Sequence, residues 1–308
     1  MRAGDVIAER YRLDRLLGEG GMGAVWAATH LVTGRAHALK LLRKEGDEAT
    51  RRRMLREARA ASAVRHPNVV AVHDVVEAPD GGPVLVMDLL EGESLGARLA
   101  RERKLEPEEA RRVGLAVLDA LAAAHGAGIV HRDLKPDNVF LVAGDGPPEV
   151  KILDFGVAKL TASEGLARET NLLTESGAML GTPCYMAPEQ AFGEGAIDAR
   201  TDLWAVGVLL YECLAGARPV DGANLGQVMK VLATGAIVPL SERAPGVPPE
   251  MARLVDRLLA LAPAERPASA VEARAALEGA ALGAARGGAV TADGAPRRPE
   301  RRRGRLAL

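Results

Sequence analysis

HRDLKPDN occupies positions 131–138 and packs two carboxylates, a lysine and an amide into eight residues: Asp133, Asp137, Lys135 and Asn138. Two β-like runs follow, NVFLV at 138–142 and EVKILD at 149–154, the second running into DFG at 154–156. Some thirty irregular residues later the chain reaches APE at 187–189. A stretch that long without periodicity inside a compact domain is usually functional.

Outward from this segment the periodicity changes. Residues 11–18, 24–30, 36–42, 69–77 and 84–90 read as strands broken by Gly and Thr-Gly turns, which predicts a small antiparallel sheet. One helix interrupts it at 47–64, where Met54, Leu55, Ala58 and Ala61 recur at helical spacing on an Arg-rich background. Beyond Gly92 the helical period dominates, with helices expected at 107–125, 202–214, 225–234, 249–261 and 268–277. The class is α+β, a strand lobe at about 11–90 and a larger, mainly helical lobe at about 91–279. After Gly279 the sequence is Gly, Ala, Pro and Arg without period, so residues 280–308 read as a flexible basic tail.

Composition narrows the function. At 48% hydrophobic, the 308 residues can build a core, and only 3% are aromatic, too few for the stacking platforms that bind single-stranded nucleic acid. The formal net charge of -1 hides six arginines against one glutamate in the last twelve residues. Cys184 and Cys213 form no disulfide framework, which favours a reducing compartment, and the sequence holds no metal-ligand cluster. With no basic-then-apolar leader and no long apolar run, the expectation is a cytoplasmic chain with no membrane segment of its own.

A second signal lies near the N-terminus, LGEGGMGAVW, with Gly18, Gly20 and Gly23 in G-x-G-x-x-G spacing. Glycines let backbone amides approach a polyphosphate closely. A dinucleotide fold needs a helix directly after them and a Walker loop needs Gly-Lys-Ser/Thr, whereas the alternating AVWAATH continues as a strand. With AHALK ending at Lys40, and HRDLKPDN, DFG and APE following in order, the chain resembles the bacterial Hanks-type (eukaryotic-like) serine/threonine protein kinases over about residues 11–277. GTPCYMAPE and the lysine of HRDLKPDN favour serine/threonine over tyrosine acceptors.

The resemblance implies a two-lobed kinase fold and transfer of the γ-phosphoryl group of ATP to protein hydroxyls in signal transduction, with Mg²⁺, or Mn²⁺ in its place. Asp133 would orient the acceptor hydroxyl and take its proton, Lys135 would reach the γ-phosphate, and Asn138 and Asp154 would hold the metal. Lys40 would grip the α and β phosphates, paired with Glu57 of the helix that follows it. The loop Leu17, Gly18, Glu19, Gly20, Gly21, Met22 and Gly23 would cover the nucleotide. Val25, Ala38 and Phe140 would sandwich the adenine, Met87 would back it, and Asp88 and Leu90 would meet its edge through backbone groups. Thr182 would help position the substrate. Asp202, Arg266 with Glu189, and His131 are expected to be structural.

Arg132 precedes the catalytic aspartate, and relatives of that kind await a phosphate on the activation segment. That segment carries Thr161, Ser163, Thr170, Thr174 and Ser176, of which Thr174 and Ser176 are the expected autophosphorylation sites. Partners are then protein substrates and a transient homodimer for phosphorylation in trans, with no nucleic acid expected. Two rival readings are a pseudokinase, whose usual hallmark of missing site residues is not met, and a phosphate-binding protein acting through its basic tail.

Overall fold

The computed structural model describes residues 1–20, 23–42, 64–79, 81–154, 182–193, 195 and 197–287. Its first sheet comprises β1 (Val6–Ile7), β2 (Tyr11–Gly20), β3 (Gly23–His30), β4 (Ala36–Leu42), β5 (Val72–Glu77) and β6 (Pro83–Asp88), in the order β1-β2-β3-β4-β6-β5 and antiparallel throughout. Alternation explains the two faces of β4. Leu39 and Leu41 pack with Tyr11, Leu13, Trp26, Val84 and Val86, while Ala38 turns the other way to join Val70 and Met87. The short strand β1 lies ahead of the expected strand at 11–18, and two residues offer no period to read.

The second sheet is β7 (Gly92–Ser94), β8 (Val139–Val142) and β9 (Glu149–Ile152), again antiparallel. Around it gather α1 (Leu95–Glu102), α2 (Pro107–Gly126), α3 (Pro188–Phe192), α4 (Ala199–Ala215), α5 (Leu225–Thr234), α6 (Leu240–Arg243), α7 (Pro249–Leu258) and α8 (Ala270–Gly287). Their largest core centres on α4, where Leu203, Trp204, Val206, Val208, Leu209 and Leu210 are all fully buried. Gly207 sits in the middle of α4, where a Cβ would stand 2.9 Å from the Leu258 Cβ, so the glycine lets α4 and α7 approach closely.

The expected helix at 225–234 matches α5, and the others agree to within a few residues at most ends. Two expectations are corrected. The helix at 249–261 stops at Leu258, because a 3₁₀ turn at Pro263–Glu265 needs chain to redirect it. The last helix continues to Gly287 instead of ending at Leu277. Alanine is the strongest helix former, and the run is rich in it. The helix expected at 47–64 lies outside the described residues except for Val64, which is buried.

Chain between the lobes joins them directly. Val69 bridges Ile152 in parallel, Val70 N–H donates to the Ile152 carbonyl at 3.0 Å, and the Asn68 side-chain amide donates to the Val150 carbonyl at 2.8 Å.

Candidate active site

The segment 131–138 runs from α2 to β8 and is held by a single carboxylate from α4. Asp202, 1% exposed, accepts the backbone N–H groups of His131 and Arg132 at 2.8 Å each, and its Oδ2 lies 2.8 Å from His125 Nε2. The two amides are aimed at one side chain because Arg132 adopts φ 68°, left-handed backbone that a non-glycine residue keeps only when its surroundings enforce it. His131 is fully buried and its Nε2 lies 3.0 Å from the Leu153 carbonyl, which fits its expected structural place.

With the loop fixed, three of the expected site side chains meet. Lys135 Nζ lies 3.2 Å from Asp133 Oδ2, and Asn138 Nδ2 donates to the Asp133 backbone carbonyl at 2.7 Å. That bond commits the nitrogen of the Asn138 amide to the protein and leaves its oxygen for another partner. Asp154, also left-handed at φ 62°, follows β9 and places Oδ2 2.6 Å from Lys40 Nζ. Lys40 is buried at the far end of β4, so this ion pair joins the two lobes across the cleft between them. Glu57, the lysine's expected partner, lies outside the described residues.

The glycine-rich turn divides into two kinds of position. At Gly23, with φ +142°, a Cβ would fall 1.9 Å from the Leu41 carbonyl oxygen, so the fold itself demands glycine there. At Gly18 and Gly20 a Cβ would meet nothing within 4 Å among the described residues, whose packing does not require glycine at either. Leu17 and Glu19 are exposed on β2, while Gly21 and Met22 lie outside the described residues.

Above Lys40, Ala38 and Met87 are packed against Val70, with Val25, Val72, Leu89, Leu90 and Leu153 on their flanks. The adenine-pocket expectations Val25, Ala38, Met87 and Leu90 thus come together, and Asp88 ends β6 beside them. Phe140 stands half-buried on β8 and is not among the residues packed on this cluster. Val70, Leu89 and Leu153 were not singled out from the sequence, though Leu153 directly precedes Asp154 and so carried a positional signal.

Below the 131–138 loop, the Gln190 side chain donates to the Arg132 carbonyl at 3.0 Å, a contact no motif announces. Arg132 Nε is buried without a hydrogen-bond partner among the described residues. Thr182 opens the 3₁₀ turn Thr182–Tyr185, and Thr174 and Ser176 lie outside the described residues. A cavity of about 390 Å³ adjoins the loop, lined by Gly96, Pro136, Asp137, Tyr185 and Glu212 among others. The Tyr185 hydroxyl donates to Glu212, whose carboxyl is pushed up chiefly by burial. Burial also pushes the Cys184 and Cys213 thiols up, so both serve as apolar packing.

Among the described residues no helix is long and apolar enough to cross a membrane, and no His, Cys, Asp and Glu group is arranged to hold a metal by itself. The family described as "Protein kinase domain" matches residues 11–278. Serine/threonine-protein kinase pkn3 of Myxococcus xanthus is 42% identical over 89% of the chain, and PkaB of Streptomyces coelicolor 40% identical over 84%. The chain spans 50% and 60% of the length of those relatives. Among solved structures, the Mycobacterium tuberculosis PknI kinase domain superposes with a TM-score of 0.70 at 29% identity, covering 91% of this chain and 99% of that one.

Proposed function

Since the chain belongs to the protein kinase family, we propose that it is an ATP-dependent serine/threonine protein kinase that transfers the γ-phosphoryl group to protein hydroxyls and phosphorylates its own activation segment. The observation that carries this reading is the 2.6 Å pair between Lys40 and Asp154, a cation beside a carboxylate across the cleft, which suits a phosphate and the metal that accompanies it. Phosphoryl transfer through a loose transition state asks chiefly for positioning and charge stabilisation.

Each residue then has a task. Asp133 orients the acceptor hydroxyl and receives its proton; Lys135, 3.2 Å from it, offsets negative charge growing on the γ-phosphoryl oxygens. The Asn138 amide oxygen and the Asp154 carboxylate form a hard oxygen donor set, which suits Mg²⁺, with Mn²⁺ as a substitute. Asn138 and Asp154 would hold such an ion, which would supply positive charge against that developing on the phosphoryl group. Lys40 meets the α and β phosphates; the amides of the loop from Leu17 to Gly23 close over them; the apolar cluster around Ala38 and Met87 takes the adenine, whose edge meets the backbone of Asp88 and Leu90. Arg132, Thr174 and Ser176 form the phosphate switch, Thr182 positions the acceptor, and the setting is intracellular signalling.

The test is incubation of the chain with radiolabelled ATP, Mg²⁺ and a basic acceptor protein beside Asp133→Asn. Label in the unmodified chain or acceptor, and at least about a hundredfold less in the variant, is expected. Nucleotide binding without label in either, after phosphosite mapping of Thr174 and Ser176 shows them modified, would replace this reading with a pseudokinase.

A further inference from the structure

On the face of β4 opposite Ala38 and Lys40 lies a set of rings that the reaction does not use. Four residues form it: Tyr11 on β2, His30 at the end of β3, His37 on β4 and His73 on β5. Tyr11 stands edge-on to His30 at 5.0 Å between centroids and to His37 at 5.8 Å; His37 lies 5.4 Å from His73 and 6.5 Å from His30. Half of this chain's six histidines are gathered here.

The charged groups that face the set are unevenly shared. Arg10 takes Asp74 at 3.2 Å and sits over the Tyr11 ring; His73 Nε2 takes Asp88 Oδ1 at 2.6 Å; the His30 Nδ1 accepts the backbone amides of Val32 and Thr33. His37 has no carboxylate of its own, and its Nδ1 is buried without a hydrogen-bond partner among the described residues. Burial, then His73 and His30, hold its imidazolium below the ordinary histidine range, against the opposing pull of Asp88 and of a hydrogen bond to the Met87 backbone. Asp88 is also the Cα partner of His37 in the β4–β6 ladder, and it is followed by Leu89 and Leu90, which pack on the nucleotide-facing cluster.

We propose that His37, His73 and Asp88 form a proton-operated latch at the end of β6 that sets the position of residues 88–90 and, through them, the grip on adenine nucleotide. With His37 neutral, Asp88 stays on His73 and the strand end is held. Once His37 is charged, two imidazoles 5.4 Å apart compete for one carboxylate, and the backbone that carries it shifts. The reading rests on Asp88 and Leu90 being the adenine-edge residues, so its test includes a signal that needs no nucleotide.

In the full chain, backbone amide and imidazole resonances are followed by NMR between about pH 5 and pH 8. The amides of Asp88, Leu89 and Leu90 are expected to move with the His37 midpoint, and to lose that transition in His37→Gln while the fold signature of the spectrum persists. Calorimetry with a non-hydrolysable ATP analogue is expected to show affinity falling several-fold more from about pH 7.5 to about pH 5.5 in the unmodified chain than in His37→Gln; any titration of the analogue itself cancels in that ratio. Asp88→Asn, which keeps the backbone and both imidazoles, is expected to abolish the amide transition as well. Hinge amides that stay still through the His37 titration, or a His37→Gln variant with the unmodified pH ratio, would overturn the latch. A chain whose amides at residues 88–90 titrate with His37 but which binds no nucleotide at any pH would overturn the proposed function and with it the latch's grip on nucleotide, while supporting the proton-driven shift of the strand end.

Discussion

Asp202 does for residues 131 and 132 what a helix cap does for a first turn: one carboxylate satisfies two backbone amides pointing the same way. Replacing it by alanine strands both donors in the interior, at about 1–3 kcal/mol each, so Asp202→Ala is expected to lower stability by about 2–6 kcal/mol in urea unfolding. The left-handed Arg132 also loses its tether, so phosphotransfer in Asp202→Ala should fall further than the lost stability alone explains. Residues of this kind were legible in the sequence by position. Asp133, Asn138, Lys40 and Asp154 stand in ordered motifs, and the structure brings Asp133 to Asn138 and Lys40 to Asp154. Gln190 and the ring set around His37 carried no signal, because their partners lie 58 residues away or on four separate strands. Nothing in the local spelling reports a contact that only the ladder register creates.

At the scale of elements, helix α3 is anchored by a buried ion pair. Arg266, 1% exposed, gives two hydrogen bonds to Glu189 at 2.7 and 2.9 Å, spends its remaining donors on the carbonyls of Ala260, Arg200 and Leu261, and stacks over Trp204. Removing one partner leaves an uncompensated buried charge, so Glu189→Ala is expected to cost about 3–5 kcal/mol. Burial alone would raise the Glu189 carboxyl, yet the Arg266 guanidinium and the Thr201 hydroxyl leave it lowered. A lowered native value means the unfolded chain binds the proton first, so this stability is present above the ordinary carboxyl value of 4.5 and drains away as pH falls below it. Circular dichroism during acid titration should therefore show a shallower loss in Glu189→Gln than in the unmodified chain. Gly207→Ala tests the α4–α7 contact: the helix gains about 1 kcal/mol of propensity, and the crowded Leu258 costs about 1–3, for a small net loss in thermal midpoint. Helix α1 shows why short elements escaped notice: its signal was Ser94, whose hydroxyl accepts the Ala97 amide, ahead of only eight residues.

Across the whole molecule, the strand lobe and the helical lobe differ in how they are built. Among the described residues, the strand lobe splits its apolar side chains among three small clusters, one of them around Ala38 and Met87, whereas the helical lobe wraps one continuous core around α4. That division was visible as a change of period near Gly92, because period two and period 3.6 write different patterns of apolar residues. Helix α4 has no solvent face along Leu203–Leu210, so it cannot loosen alone by fraying at a wet surface. Its amides must wait for the entire helical lobe to open, and in deuterium they should be the last protons the protein surrenders, a clock whose rate reads the stability of the lobe that carries Asp202 and therefore the 131–138 loop.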